Sequence, residues 1–246
     1  MATKSQRPCR CTSVRQSIVG TGTAAPIKQW SPWAYRVNPV AEQAEPAMVR
    51  KLHAKYKFSK LALIYDQTQD GQVGGARALR DRAKEIGYEV VAFEAFRAGD
   101  QDFTTQLTVI KGSGTEWVGI YGATPEAAKI ARQMVDLGMK ANIFTGFGTL
   151  QDPVAWDLSN GAVKGGFSYT AFDLKSKDPK IQEFLKGYKA NFTDEPTNYS
   201  PYGYDAVMVV VDAVKRSCTN TDREKFAQAL AQTEGAQGLG GKISFK

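Results

Sequence analysis

The stretch LALIYDQTQDGQVGGARALRDRAKEIG, residues 61–87, contains a change of hydrophobic period. Its first five residues form a compact apolar run that stops at Asp66, as a buried strand does. From there Val73, Ala76, Leu79, Ala83 and Ile86 fall at helical spacing, and Gly87 supplies the stop. Strand, loop and helix in that order predict the first half of a βαβ unit. The rhythm continues with a strand at 89–93, a helix at 103–110, a strand at 117–121, and a helix at 125–137 opened by Pro125 and ended by Gly138. Strands at 143–145 and 163–169 follow around a short helix at 153–158. Alternation of this kind predicts an α/β fold whose Rossmann-like unit carries five strands, mostly parallel.

The chain has 246 residues, more than the roughly 100 to 200 of a single domain, so two lobes are expected. Hydrophobic residues make up 42% of it, yet no apolar run approaches the roughly 18 residues that span a bilayer. The net charge of +7 suggests nucleic acid until it is mapped along the chain: residues 1–60 carry 11 Lys+Arg against 2 Asp+Glu, and the remainder 21 against 23. A slightly acidic body lacks the basic footprint that phosphate-backbone binding requires, and no nucleic-acid partner is expected. Cys9, Cys11 and Cys218 do not make a disulfide framework, and Cys-x-Cys without a second ligand pair does not make a metal site. His53 is the only histidine, which leaves His-dependent metal sites and Ser-His-Asp chemistry without their parts. With Lys51, Lys55 and Lys57 around it, His53 is expected on a solvated helix face. Residues 1–17 are acid-free and rich in Arg and Ser but have no apolar h-region, so they do not read as a secretory signal and are expected to be an unstructured or non-native tail.

Parallel sheets bind ligands beyond the carboxyl ends of their strands. That directs attention to loops at 67–75, 96–102, 122–125 and 146–152. Gly71, Gly74 and Gly75 run G-x-x-G-G, which matches neither G-x-G-x-x-G nor the P-loop, so no nucleotide cofactor is expected.

Several stretches, in order, resemble one family: GTGTAAP (20–26), YRVNP (35–39), LALIYDQTQDGQ (61–72), GDQDFTTQL (99–107), YGATPEAAKIARQMVDLGMK (121–140), KGGFSYTAFD (164–173), NYSPYGYDAV (198–207) and GLGGKISF (238–245). Their number, order and spacing resemble the branched-chain amino-acid binding proteins that feed ABC transporters, which have the type I periplasmic-binding-protein fold. Relative to that family the chain looks like a fragment. The resemblance implies 18–46 as part of the first lobe with the hinge, 47–167 as the complete second lobe, and 168–246 as a return to the partial first lobe. A partial lobe exposes apolar surface and strand edges, and self-association is expected.

The resemblance also implies the site. GTGTAAP corresponds to a first-lobe turn that receives a carboxylate: Thr21 and Thr23 offer hydroxyls, Gly22 permits close backbone approach, and the Ala24 N–H faces the anion. In the second lobe the family usually has an aromatic residue where Asp70 stands, a further contact at Ala123 or Thr124, and, in the leucine receptor, an ammonium-pairing acid where Phe147 stands. Loss of that acid implies a ligand without an α-ammonium, such as an aromatic or aliphatic carboxylate stacked on Phe147. Asp70 leaves open an ammonium received from another wall. Tyr199, Tyr202 and Tyr204 resemble the family's helix start near the cleft; they are expected to support the core, and the resemblance leaves open that one of them borders the ligand. Residues 207–214 are expected to form a buried helix whose solvated face carries Asp205, Asp212, Lys215 and Arg216. Trp30, Trp33 and Tyr35 are expected to pack beneath the hinge.

The implied function is delivery of a small carboxylate-bearing ligand, branched-chain amino-acid-like or an aromatic or aliphatic carboxylate, to an ABC-transporter permease in the periplasm, without a cofactor or metal and without catalysis. A ligand-sensing receptor domain uses the same fold. An enzyme reading would use Asp70, Asp66 or Tyr65 as acid or base, but no nucleophile and base pair accompanies them.

Overall fold

The computed structural model describes residues 17–19, 34–170, 172–219 and 221–245, with the backbone alone for 17–19 and 153. Its central feature is a four-stranded parallel sheet, β3 (Lys60–Asp66), β4 (Glu89–Phe96), β5 (Trp117–Tyr121) and β6 (Asn142–Thr145), in the order β4-β3-β5-β6. The crossovers are α2 (Asp70–Asp81) with the one-turn α3 (Ala83–Ile86), then α4 (Thr104–Gly112), then α5 (Thr124–Asp136). The amphipathic helix α1 (Ala41–Tyr56) precedes the sheet.

Strand period explains why both faces are covered. On β3, Ala62 and Ile64 join Phe103, Leu107, Ile110, Ile130 and Met134 of the α4/α5 side, whereas Leu61 and Leu63 join Val49, Leu52 and Leu79 of the α1/α2 side. All four β3 residues are fully buried, as a parallel strand between helix layers requires. Gly119 marks the tightest point on β5: a Cβ there would run into Leu63 and the Phe144 ring, so only glycine lets these side chains meet across the sheet.

Three expectations are corrected. The strand expected at 163–169 reduces to a single parallel bridge between Phe167 and Phe144, because Gly165 turns left-handed at φ 78° just before it. The helix expected to begin at Val73 starts three residues earlier, at Asp70, and breaks at Arg82. The helix around 207–214 forms, as part of α8 (Ser200–Ser217), but Val207 is 60% exposed and Asp205 is buried, accepting a hydrogen bond from the Leu239 N–H at 2.8 Å.

Beyond the sheet, α6 (Pro153–Ser159) follows β6, and α7 (Pro179–Asn191), α8 and α9 (Arg223–Ala231) make a second region. Val209, Ala213, Ala229 and Leu230 pack there on Tyr35 of β2 (Ala34–Arg36), and Tyr35 lies against Phe245 at 4.9 Å. Short strand pairs accompany it: β1 (Ser17–Val19) is parallel to β2, and β7 (Ala236–Gln237) is antiparallel to β8 (Lys242–Ile243). Among the described residues no helix is long and apolar enough to cross a membrane.

Candidate functional site

The loops that leave β3, β5 and β6 at their carboxyl ends open on one cavity of about 740 Å³. Its sheet-side wall is Gln69, Gln72, Gly122, Ala123, Thr124 and the stretch around Phe147; its opposite wall comes from α7 and the segment before α8, with Gln182, Lys186, Lys189, Asn198 and Tyr199.

Each loop has a local cause. The carboxylate of Asp66, buried at the end of β3, accepts from the Thr68 N–H at 2.8 Å, from the Thr68 hydroxyl at 2.6 Å and from the Gln69 amide at 2.9 Å. These bonds fold the loop back on its strand and aim Gln69 at the cavity. With its oxygens so engaged Asp66 has a structural part, not the acid or base part of an enzyme reading. After β5, Ala123 is extended and Pro125 lies in the first turn of α5, which places Thr124 on the rim. After β6 the chain turns through Gly148 at φ 69°, where a Cβ would press on the Asn198 side chain at 3.3 Å. The Gly148 N–H donates to the Tyr169 carbonyl at 3.0 Å, closing the turn.

Phe147, at the head of that turn, is half-buried in an aromatic cluster. Its ring centroid lies 5.2 Å from Tyr199, 5.4 Å from Tyr202 and 5.5 Å from Tyr169, in tilted or edge-on arrangements. Burial raises the Tyr199 and Tyr202 hydroxyls above the ordinary phenol range, so both remain protonated donors near neutral pH. The buried Tyr202 hydroxyl has no hydrogen-bond partner among the described residues.

Four charged side chains line the cavity. Asp152 caps α6 by accepting from the Val154 N–H at 3.0 Å, and Glu195 pairs with Lys189 at 3.1 Å. Lys186 has no ion-pair partner among the described residues. Of the expected site residues, Ala123, Thr124 and Phe147 share the cavity. Asp70, the exposed first residue of α2, is off its lining, although Gln69 and Gln72 on either side are on it. Thr21, Gly22, Thr23 and Ala24, like Trp30 and Trp33, lie outside the described residues. Tyr199 is the member of the expected tyrosine trio that reaches the lining; the α7 side chains carried no sequence signal. Among the described residues no group of three His, Cys, Asp or Glu side chains is placed to hold a metal ion.

Comparison with known proteins gives a consistent picture. The family described as periplasmic binding protein matches residues 13–246. The Leu/Ile/Val-binding protein homolog 1 of Brucella suis is 30% identical over 191 residues, which cover 77% of this chain and 50% of the relative. The chain thus spans about half the length of the curated relatives it matches. The crystal structure of a leucine-binding protein from Thermotoga maritima superposes with a TM-score of 0.84 at 29% identity, covering 93% of this chain and 65% of that one. A solute-binding protein from R. palustris in complex with benzoate gives 0.79 at 18% identity, covering 93% and 63%, a likeness of fold alone.

Proposed function

Because this chain belongs to the periplasmic binding protein family, with the α/β fold of its type I members, we propose that it binds a small carboxylate-bearing solute outside the cytoplasm for an ABC-transporter permease. The observation that carries this is the shared cavity: Ala123, Thr124 and Phe147, reached independently through the family pattern, line one hollow with Tyr199 opposite. In this reading residues 47–167 act as one lobe, and 18–46 with 168–246 as part of the other. The turn of Thr21, Gly22, Thr23 and Ala24 receives the carboxylate. Closing the lobes buries the solute, binding shifts an open and closed equilibrium, and the permease engages the closed form. No bond is made or broken, and no cofactor takes part.

Phe147 selects the solute class. A ring in place of an acid offers stacking and no partner for an ammonium, which favours aromatic or branched aliphatic carboxylates over α-amino acids. Asp70 lies off the cavity lining, which supports this reading over one in which it takes the place of that acid. The test is a thermal-shift screen of benzoate and isovalerate against leucine, isoleucine and valine on the full chain. A true ligand at a hundredfold excess over its Kd adds about 2.7 kcal/mol of stability. Stabilisation by carboxylates alone is the expected result; stabilisation by the amino acids alone overturns the Phe147 argument, and turnover of any ligand overturns the transport reading.

A further inference from the structure

Glu45 on α1 is 2% exposed, an unusual place for a carboxyl. It accepts a hydrogen bond from the Tyr121 hydroxyl of β5 at 2.8 Å. Glycines make room for it on two sides: a Cβ on Gly146 would come within 3.2 Å of its Oε1, and one on Gly75 of α2 within 3.1 Å of its Cγ. The Tyr169 hydroxyl acts on the same carboxyl. Tyr169 in turn holds the Phe147 turn twice, through its carbonyl, which accepts from Gly148 at 3.0 Å, and through its ring, 5.5 Å from that of Phe147. The carboxyl thus packs directly on Gly146, at the head of the turn that carries Phe147, and Tyr169 braces the same turn from its other side.

We propose that Glu45 is a positioning residue: through Tyr169 and the Gly146–Gly148 turn its uncharged carboxyl fixes where the Phe147 ring stands in the cavity wall, and ionising it loosens the wall. The part of this that concerns affinity rests on the solute-binding function proposed above; the part that concerns the ring does not.

Burial pushes the carboxyl up to about 8, against the lowering by its bonds to Tyr121 and Tyr169. The titratable groups that face it are those two hydroxyls, from β5 and from the segment beside β6, and both are driven far above the ordinary phenol range. Tyr88, just before β4, acts on Tyr121 and not on the carboxyl. On α1 itself Glu42 faces Gly74 and acts on Arg36. No cation stands among the groups that shift Glu45. Among the described residues its ionised form would be a buried charge held by the Tyr121 hydroxyl with no cation beside it, a state relieved by rearranging the turn or admitting water.

The test uses the full chain with carbon-13-labelled phenylalanine, the Phe147 resonance being assigned through Phe147→Leu. From about pH 6 to about 9.5 this resonance should move with a midpoint near 8 in the wild type and stay still in Glu45→Gln, whose amide keeps the shape and cannot ionise. Tyr169→Phe, which keeps the ring and loses the hydroxyl, should reduce the movement, and it carries the test if Glu45→Gln does not fold. A resonance that is flat in the wild type, or that titrates equally in Glu45→Gln, overturns the proposal. In calorimetry with benzoate and isoleucine as probes, whichever binds should weaken about fivefold or more at high pH in the wild type and less than about twofold in Glu45→Gln; equal weakening in both proteins overturns it. If neither probe binds while Phe147 titrates as described, the positioning role stands and the proposed solute class falls.

Discussion

The β3–β6 sheet and the α7–α9 region are made of similar residues but are finished to different degrees. The inner strands β3 and β5 have helix on both faces, and Leu61, Leu63, Ile64, Ile120 and Phe144 have no exposure at all. On α8, by contrast, Val209 and Ala213 are buried while Val207, Met208 and Val211 on the same helix stay exposed. An apolar stripe left open along a helix is a face that the described part of the chain does not cover. Alternating strands and amphipathic crossovers close a core among themselves; a helix whose apolar surface is wider than its neighbours does not. The largest expected effect measures this difference. Leu63→Ala, in the middle of the sheet, should cost about 4 to 5 kcal/mol in urea unfolding, and Leu230→Ala, equally buried in the smaller cluster, about 2 to 3 kcal/mol. Equal costs would break the comparison and show the second core to be as tightly closed as the first.

A second effect separates the regions by pH. Glu45 is raised when folded, from an ordinary 4.5 to about 8, so between those values the native state holds a proton that the unfolded chain has released. Stability from this carboxyl is fully present below about pH 4.5, falls as pH rises through the window, and is exhausted above about 8. At about 1.4 kcal/mol per pH unit the loss is on the order of 5 kcal/mol across the whole window, of which about 4 kcal/mol falls between pH 5 and pH 8.5. Comparing urea midpoints of the wild type and Glu45→Gln at pH 5 and pH 8.5 isolates it. The wild type should lose its share and the variant should not; parallel curves would mean that Glu45 is hydrated.

What could be read from the sequence follows the range of the interactions involved. β3, α2, β4, α4, β5, α5 and β6 were legible because the strands are short apolar runs and the helices have a period near 3.6, with Gly or Pro marking most of the breaks between them. The errors lie where a distant partner decides. The start of α2 at Asp70 is hidden by a polar first turn, DGQ, that apolar periodicity does not register. Asp205 looked solvated because its partner, the Leu239 N–H, is 34 residues away. Within the site, Phe147 was legible as a departure from a family pattern and Asp66 as the end of a strand. Glu45, whose partner Tyr121 is 76 residues distant, reads locally as an ordinary surface acid before a proline. Nothing in the composition of α7 foretells that Gln182 and Lys186 face the loops of the sheet.

A third effect should ignore the difference between the regions, which makes it a control. Asp152 caps α6 next to the sheet, accepting from Val154 N–H at 3.0 Å, and Asp222 caps α9 in the second region, accepting from Glu224 and Lys225 N–H groups at 3.1 Å. Capping satisfies donors within one turn and owes little to the surrounding core. Asp152→Ala and Asp222→Ala should each cost about 1 kcal/mol in urea unfolding. A loss at Asp222 too small to measure would mean that α9 frays already, sharpening the contrast in favour of a loosely held second region.

The smallest change in stability goes with the most direct test of the uncovered face. Val207 and Val211 are one turn apart on α8 and both exposed, so Val207→Glu with Val211→Lys removes apolar surface and adds an i,i+4 pair in the favourable order. Stability should change by no more than about 0.5 kcal/mol, as for exposed positions generally. Sedimentation should change far more: the wild type is expected to self-associate with rising concentration and the double variant to remain a monomer. A wild-type chain that stays monomeric at high concentration would show that the stripe on α8 is too small to drive association. The open face of the second region would then be a difference of packing without consequence for how the molecules meet.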